Sequence, residues 1–133
     1  MNAIFKKLNY KDQADIYVVN APTTFRSILD EMTVMTQIKT DLAKAKGAMF
    51  VIAFATTQAE VDRFAKQVVK ATGGDAVVWV AYPKGTSKNY TCEFNRDTGW
   101  TVMRELGFDT VRQVAIDADW SALRFRRVEF IKH

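Results

Sequence analysis

At 133 residues and 15.1 kDa the chain has room for one domain, residues 1–133, whose core needs no disulfide or metal staple. A composition of 48% hydrophobic and 26% charged residues, with six glycines and two prolines, excludes a disordered, collagen-like or low-complexity protein. The net charge of +4 is spread evenly, ten basic against eight acidic side chains in residues 1–75 and nine against seven in residues 76–133, which excludes a basic arm.

The pattern along the chain alternates strands with helices. Residues 14–20 (ADIYVVN) read as a short buried strand, broken by Ala21-Pro22. Thr23 or Thr24 then caps a helix in which Phe25, Ile28, Leu29 and Met32 make one apolar stripe. Residues 33–38 are a second, weaker strand. Residues 48–55 (AMFVIAFA) are apolar throughout, as expected of a central strand covered on both faces. Thr57 and Glu60 form a capping box for a helix whose inner face is Val61, Phe64, Ala65, Val68 and Val69, closed by a left-handed cap at Gly73-Gly74. A fourth strand covers residues 76–82, and residues 83–95 show no period. A third helix spans about residues 97–106, with Trp100, Met103 and Leu106 on one side and Gly107 as its stop. Two strands close the chain, residues 110–116 and 123–131, joined by Asp117-Ala118-Asp119-Trp120-Ser121. Along the last one Leu123 and Phe125 face opposite to Val128 and Phe130, a phase slip that predicts a β-bulge near Arg126-Arg127.

Continuous apolar strands reached through helices require a parallel sheet with right-handed crossovers, and the closing pair is too closely connected to be anything but an antiparallel hairpin. The expected class is α/β: a doubly wound, mostly parallel, Rossmann-like sheet of about six strands with a C-terminal antiparallel hairpin. The N-terminus lacks a signal-peptide core, and the longest apolar run, residues 48–55, is far short of the roughly 20 residues of a membrane span. The expected location is cytoplasmic, with no membrane partner. Cys92 is the lone cysteine and His133 the lone histidine, so neither a disulfide, a metal site nor an activated thiol is expected. The clusters Lys6-Lys7 and Arg124, Arg126, Arg127 read as solvated cations.

Ligands of doubly wound sheets sit beyond the carboxyl ends of the strands where the order reverses. With the first and third strands as neighbours, that crevice lies between Asn20-Ala21-Pro22-Thr23 and Ala55-Thr56-Thr57. A dinucleotide or adenosyl loop uses glycines there, whereas this chain has no glycine before residue 47. Asp41 is the carboxylate nearest the end of the second strand and reads as a surface loop residue. No Walker loop is present, since Lys84-Gly85-Thr86-Ser87 lacks the preceding glycines. No cofactor is therefore expected, and the turn argues against S-adenosylmethionine. The positive feature is the segment from Tyr82 to Tyr90, where Lys84, Lys88 and Arg96 against Glu93, with Tyr90 and Phe94, suit a small anionic ligand or single-stranded nucleic acid; the plainer reading, a surface loop whose aromatics tuck into the core, weighs somewhat more. In the hairpin turn, Asp117 and Asp119 offer paired carboxylates, Trp120 is an exposed anchor or a lid on the core, and Arg124 is expected within reach of Asp117 or Asp119. The candidate ligand-binding set is Asn20, Thr23, Lys84, Lys88, Asp119, Trp120 and Arg124; no catalytic residue is assigned.

Residues 17–22 (YVVNAP), 78–84 (VWVAYPK) and 119–125 (DWSALRF) resemble a family of short bacterial domains of unknown function with a truncated, methyltransferase-like Rossmann fold. The resemblance spans nearly the whole chain. It implies a strand order of second, first, third, fourth, sixth, fifth, and this order would bring Lys84, Trp120 and Arg124 together. The reading from sequence is a methyltransferase-like domain acting as a non-catalytic binding or interaction module. The alternatives are a small S-adenosylmethionine-dependent methyltransferase with an atypical turn, or a nucleotide or single-stranded nucleic-acid binder.

Overall fold

A computed structural model describes residues 2–131, and these form a six-stranded sheet flanked by helices on both faces. The elements are α1 (Ala3–Lys7), β1 (Asp15–Val19), α2 (Arg26–Met32), β2 (Gln37–Lys39), β3 (Ala48–Phe54), α3 (Gln58–Ala71), β4 (Thr72–Pro83), α4 (Thr101–Glu105), β5 (Phe108–Ala115) and β6 (Trp120–Arg127). The strand order is β2-β1-β3-β4-β6-β5. Strands β1 to β4 pair in parallel, while β6 runs antiparallel to both β4 and β5. This is the expected α/β class, and the expected strand order.

The two central strands explain themselves. Along β3 and β4 successive side chains enter opposite cores, so both faces must be apolar. Val51, Ala53, Val78, Val80 and Tyr82 pack under α3 and α4 with Phe64, Val68, Trp100 and Met103. Phe50, Ile52, Phe54, Trp79 and Ala81 pack on the other face with Phe5, Phe25 and Met32. Helix α1, absent from the sequence reading, belongs to that second core. Asn2 caps it by accepting from the N–H groups of Ile4 and Phe5, and the Leu8 carbonyl accepts the Trp79 indole N–H at 2.8 Å.

Several expected boundaries move. The second strand shrinks to Gln37–Lys39, because the chain after α2 turns back on itself: Met35 and Thr36 N–H both donate to the Met32 carbonyl. The Gly73-Gly74 cap is replaced by an arginine. Thr72 is already extended, and the Arg127 guanidinium donates to the Val69 and Thr72 carbonyls at 3.2 and 3.1 Å, satisfying acceptors that a glycine turn would have served. Gly74, at φ +55°, instead lies where β4 slips register against β3. The third helix begins only at Thr101, because Asn95 Oδ1 ties down the Asp97 and Thr98 N–H groups and Gly99 sits at φ +94°. The bulge falls on β5 between Thr110 and Arg112 rather than at Arg126-Arg127; the phase slip there arises because β6 ends at Arg127 and residues 128–130 form a 3-10 turn.

Candidate functional site

The turn after β1 is made without glycine. Asn20 takes a left-handed conformation, φ +57°, which asparagine tolerates better than other side chains because its amide can bond locally. Pro22 then leads into a 3-10 turn, Thr23–Phe25, closed by the Phe25 N–H on the Pro22 carbonyl at 2.9 Å. Phe25 drops into the core against Phe54, with ring centroids 4.8 Å apart. What remains between β1, α2 and the end of β2 is a cavity of about 510 Å³ lined by Val18, Val19, Asn20 to Thr23, Arg26, Leu29 and Thr40.

The expected crevice between Asn20–Thr23 and Ala55–Thr57 is closed. Only about 30 Å³ remains there, beside Asn20, Ala55, Glu60 and Arg63. The Glu60 carboxylate folds back over the start of α3 and accepts from the Thr56 and Thr57 N–H groups at 3.0 and 3.1 Å and from both hydroxyls. Partial burial works against its ionisation, yet these four donors outweigh it and hold the carboxyl below its ordinary value. The amides that would meet an anion are thereby occupied from within. Open space lies on the β2 side of β1 instead.

The loop after β4 is sewn to the β5–β6 turn. Lys84 N–H donates to the Asp119 carbonyl at 2.8 Å, and the Asp119 carboxylate accepts from Ser87 Oγ at 2.8 Å and Asn89 Nδ2 at 3.1 Å. Asp117 Oδ1 accepts the Asp119 and Trp120 N–H groups, both at 2.8 Å. The two carboxylates therefore shape the turn. Trp120 is 3% exposed and wedged between Tyr90 and Phe54, a lid on the core rather than an anchor for a partner. A second, more polar cavity of about 470 Å³ is lined by Tyr82 to Gly85, Ser87, Tyr90 to Asn95 and Thr98. Cys92 lies on it, half-buried, with burial pushing its thiol pKa up, the opposite of what a nucleophile needs.

The predicted site residues thus divide into groups. Asn20 and Thr23 line the β1 cavity. Lys84, Asp119 and Trp120 meet at the end of β4, where Pro83 pairs with Trp120, and Lys88 is solvent-exposed nearby. Arg124 does not join them. It sits opposite Trp79, four residues along β6 from Trp120, which is about 13 Å of extended chain. It shares neither Asp117 nor Asp119; burial pulls its pKa down, as does repulsion from Arg126 and Arg112, while Asp75 opposes them. Sequence reasoning also missed Thr40, Arg63 and Gln67 at this edge. Arg63 and Gln67 carry a signal, being at the outward i and i+4 positions of an amphipathic helix, but nothing in the sequence says what that face overlooks. Among the described residues no group of three or more His, Cys, Asp or Glu converges as a metal site, and no helix is long and apolar enough to cross a membrane. His133 lies outside the described residues.

No family model matches the chain, and no curated protein matches it. Solved structures do. A SAM-dependent methyltransferase from Aquifex aeolicus superposes with a TM-score of 0.62 over 94% of this chain and 88% of its own, at 7% identity. The N-methyltransferase NodS from Bradyrhizobium japonicum WM9, in complex with S-adenosyl-L-homocysteine, gives 0.51 over 95% and 97%, at 9% identity. The Methanococcus jannaschii fibrillarin pre-rRNA processing protein gives 0.54 over 88% and 67%, at 11% identity. At such identities the likeness speaks to architecture, and the chain has a methyltransferase-like Rossmann fold.

Proposed function

We propose that this chain is a non-catalytic binding module that takes a nucleoside in the cavity at the carboxyl end of β1. The observation that carries the reading is the open cavity itself. Its volume of about 510 Å³ falls within the usual range for small-ligand sites, roughly 300–1,000 Å³, and it lies at the carboxyl edge of the sheet, on the β2 side of β1 beside the closed β1–β3 switch point. Val18, Pro22 and Leu29 supply apolar wall for a base, while the Thr40 and Thr23 hydroxyls and the Asn20 amide supply hydrogen bonds for a sugar.

The donor set departs from what adenosylmethionine asks of this fold. Pro22 has no N–H, and Thr40 stands at the end of β2, where a carboxylate would hold a ribose diol. Arg26 is the sole titratable side chain lining the cavity among the described residues, and it leans on Asp30 at 3.8 Å. A group with no base, no nucleophile and a weakened cofactor cradle suits binding better than transfer. The competing reading, a small methyltransferase, rests on the fold alone.

Titration calorimetry with adenosine, S-adenosylhomocysteine and S-adenosylmethionine tests the proposal. Saturable micromolar binding is expected, lost in Thr40→Trp, where an exposed residue gains a ring that fills the cavity. Absence of binding at millimolar ligand, or binding indifferent to Thr40→Trp, would overturn it. Turnover of S-adenosylmethionine to S-adenosylhomocysteine would overturn the non-catalytic half.

A further inference from the structure

We infer that the outer face of α3 is a docking groove for the phosphate backbone of a single-stranded nucleic acid. The even charge count along the sequence hides a concentration in space. Arg63, Lys66 and Lys70 fall at i, i+3 and i+7, so they form one row about 10 Å long on the same face of α3. With Gln67 they make one wall of a groove of about 260 Å³; the segment Leu42, Ala43 and Ala45 makes the other. Lys44 and Lys46 are exposed on that second segment. Three cations, Arg63, Lys66 and Lys70, thus line the concavity itself, while Lys46 borders a different cleft beside Asp15 and Gly47.

These charges are not spent on carboxylates. Elsewhere Arg126 grips Asp75, Arg104 meets Asp109 and Lys39 meets Asp15. The acidic side chains nearest the groove in sequence are Asp41 and Asp62. Neither forms an ion pair with Arg63, Lys66 or Lys70 among the described residues, and Asp62 accepts from Gln58 Nε2 at 2.9 Å.

The shape selects among polyanions. A concave groove with a cationic wall facing a wall of alanines and a buried Leu42 admits a strand, whereas a bilayer surface would touch only its rims and find no apolar anchor to insert. The lining offers no aromatic ring for stacking, so recognition runs through phosphates and is indifferent to sequence. The groove is also continuous with the carboxyl edge. Arg63 and Gln67 line both it and the small cleft beside Asn20, and Asn20 in turn borders the β1 cavity. A bound strand would therefore run toward that cavity, although the groove stands whether or not a nucleoside binds there.

Fluorescence anisotropy with an oligodeoxythymidine of about 20 nucleotides tests this, with folding of each variant checked by circular dichroism. Three phosphate contacts imply a log–log salt slope near −2.1 and a loss of about 18-fold in affinity between 50 and 200 mM salt. The variant Arg63→Gln/Lys66→Gln/Lys70→Gln should lose most of the affinity and bring the slope close to zero. Lys84→Gln/Lys88→Gln should bind as the wild type does, and so should Thr40→Trp, which separates this proposal from the nucleoside cavity. No binding at 50 mM salt overturns it. So does binding unchanged in the triple variant, loss of binding in Lys84→Gln/Lys88→Gln, or triple-variant-sensitive binding to phosphatidylserine vesicles with none to the oligonucleotide.

Discussion

The two buried tryptophans of the second core provide the sharpest energetic test, because they differ in one hydrogen bond. Trp79 is fully buried and its indole N–H donates to the Leu8 carbonyl at 2.8 Å; Trp120 is 3% exposed and its buried Nε1 has no partner among the described residues. Replacing either by Phe removes a ring and leaves a void of roughly 40 Å³, which at about 24 cal/mol per Å³ costs about 1 kcal/mol. Trp79→Phe also strands the Leu8 carbonyl, adding about 1–3 kcal/mol, for a total of about 2–4 kcal/mol. Trp120→Phe removes an N–H already buried without an acceptor. The same desolvation figure then counts in its favour, about 1–3 kcal/mol, and offsets the void. Urea unfolding followed by far-ultraviolet circular dichroism, which does not rely on indole fluorescence, reads the difference. With a slope of about 2 kcal/mol per molar urea, the Trp79→Phe midpoint falls by about 1–2 M, while Trp120→Phe stays level or rises. Equal losses in the two variants would contradict this difference between the two indoles. They would mean that the Trp120 indole N–H has an acceptor and belongs to a polar site rather than to a lid.

Other outcomes follow from the same geometry. Asn20→Val should cost about 1–2 kcal/mol or more, because a β-branched residue resists the left-handed turn, whereas Asn20→Gly should be close to neutral; thermal melts compare them. Gly99→Ala should be more damaging than an average loop substitution, since its Cβ would meet Phe94 Cβ at 2.7 Å at φ +94°, and melting should show it. The Glu60 carboxyl lies below its ordinary value of 4.5 when folded, so its contribution is present above about pH 4.5 and is lost as pH falls through the lower folded value; Glu60→Gln should flatten the melting temperature against pH in that acid window, and parallel profiles would contradict the assignment. Cys92, its thiol pKa raised by burial, should react with iodoacetamide at neutral pH more slowly than free glutathione does.

The candidate site was legible in pieces. The end of β1 was found from the break at Ala21-Pro22, and the loop after β4 from its length and lack of period. The side of β1 on which space opens was not, because it depends on Phe25 meeting Phe54 and on Glu60 turning back over its own helix. Arg124 was misplaced along β6 for a similar reason. Residue types mark a strand, but only the pairing of Pro83 with Trp120 and of Trp79 with Arg124 sets how far a side chain lies from the edge.

The sequence by itself determined the layered α/β class, because apolar runs without alternation can be buried only between two helical layers, and it determined the antiparallel closing hairpin, because five residues cannot cross a sheet. Only the tertiary structure decided where charge and space are concentrated. Arg63, Lys66 and Lys70 are neighbours along one helix, but the segment that faces them across a groove arrives from twenty residues upstream. Counting charges along a chain averages over such distances, whereas folding gathers three cations along one wall of a single groove.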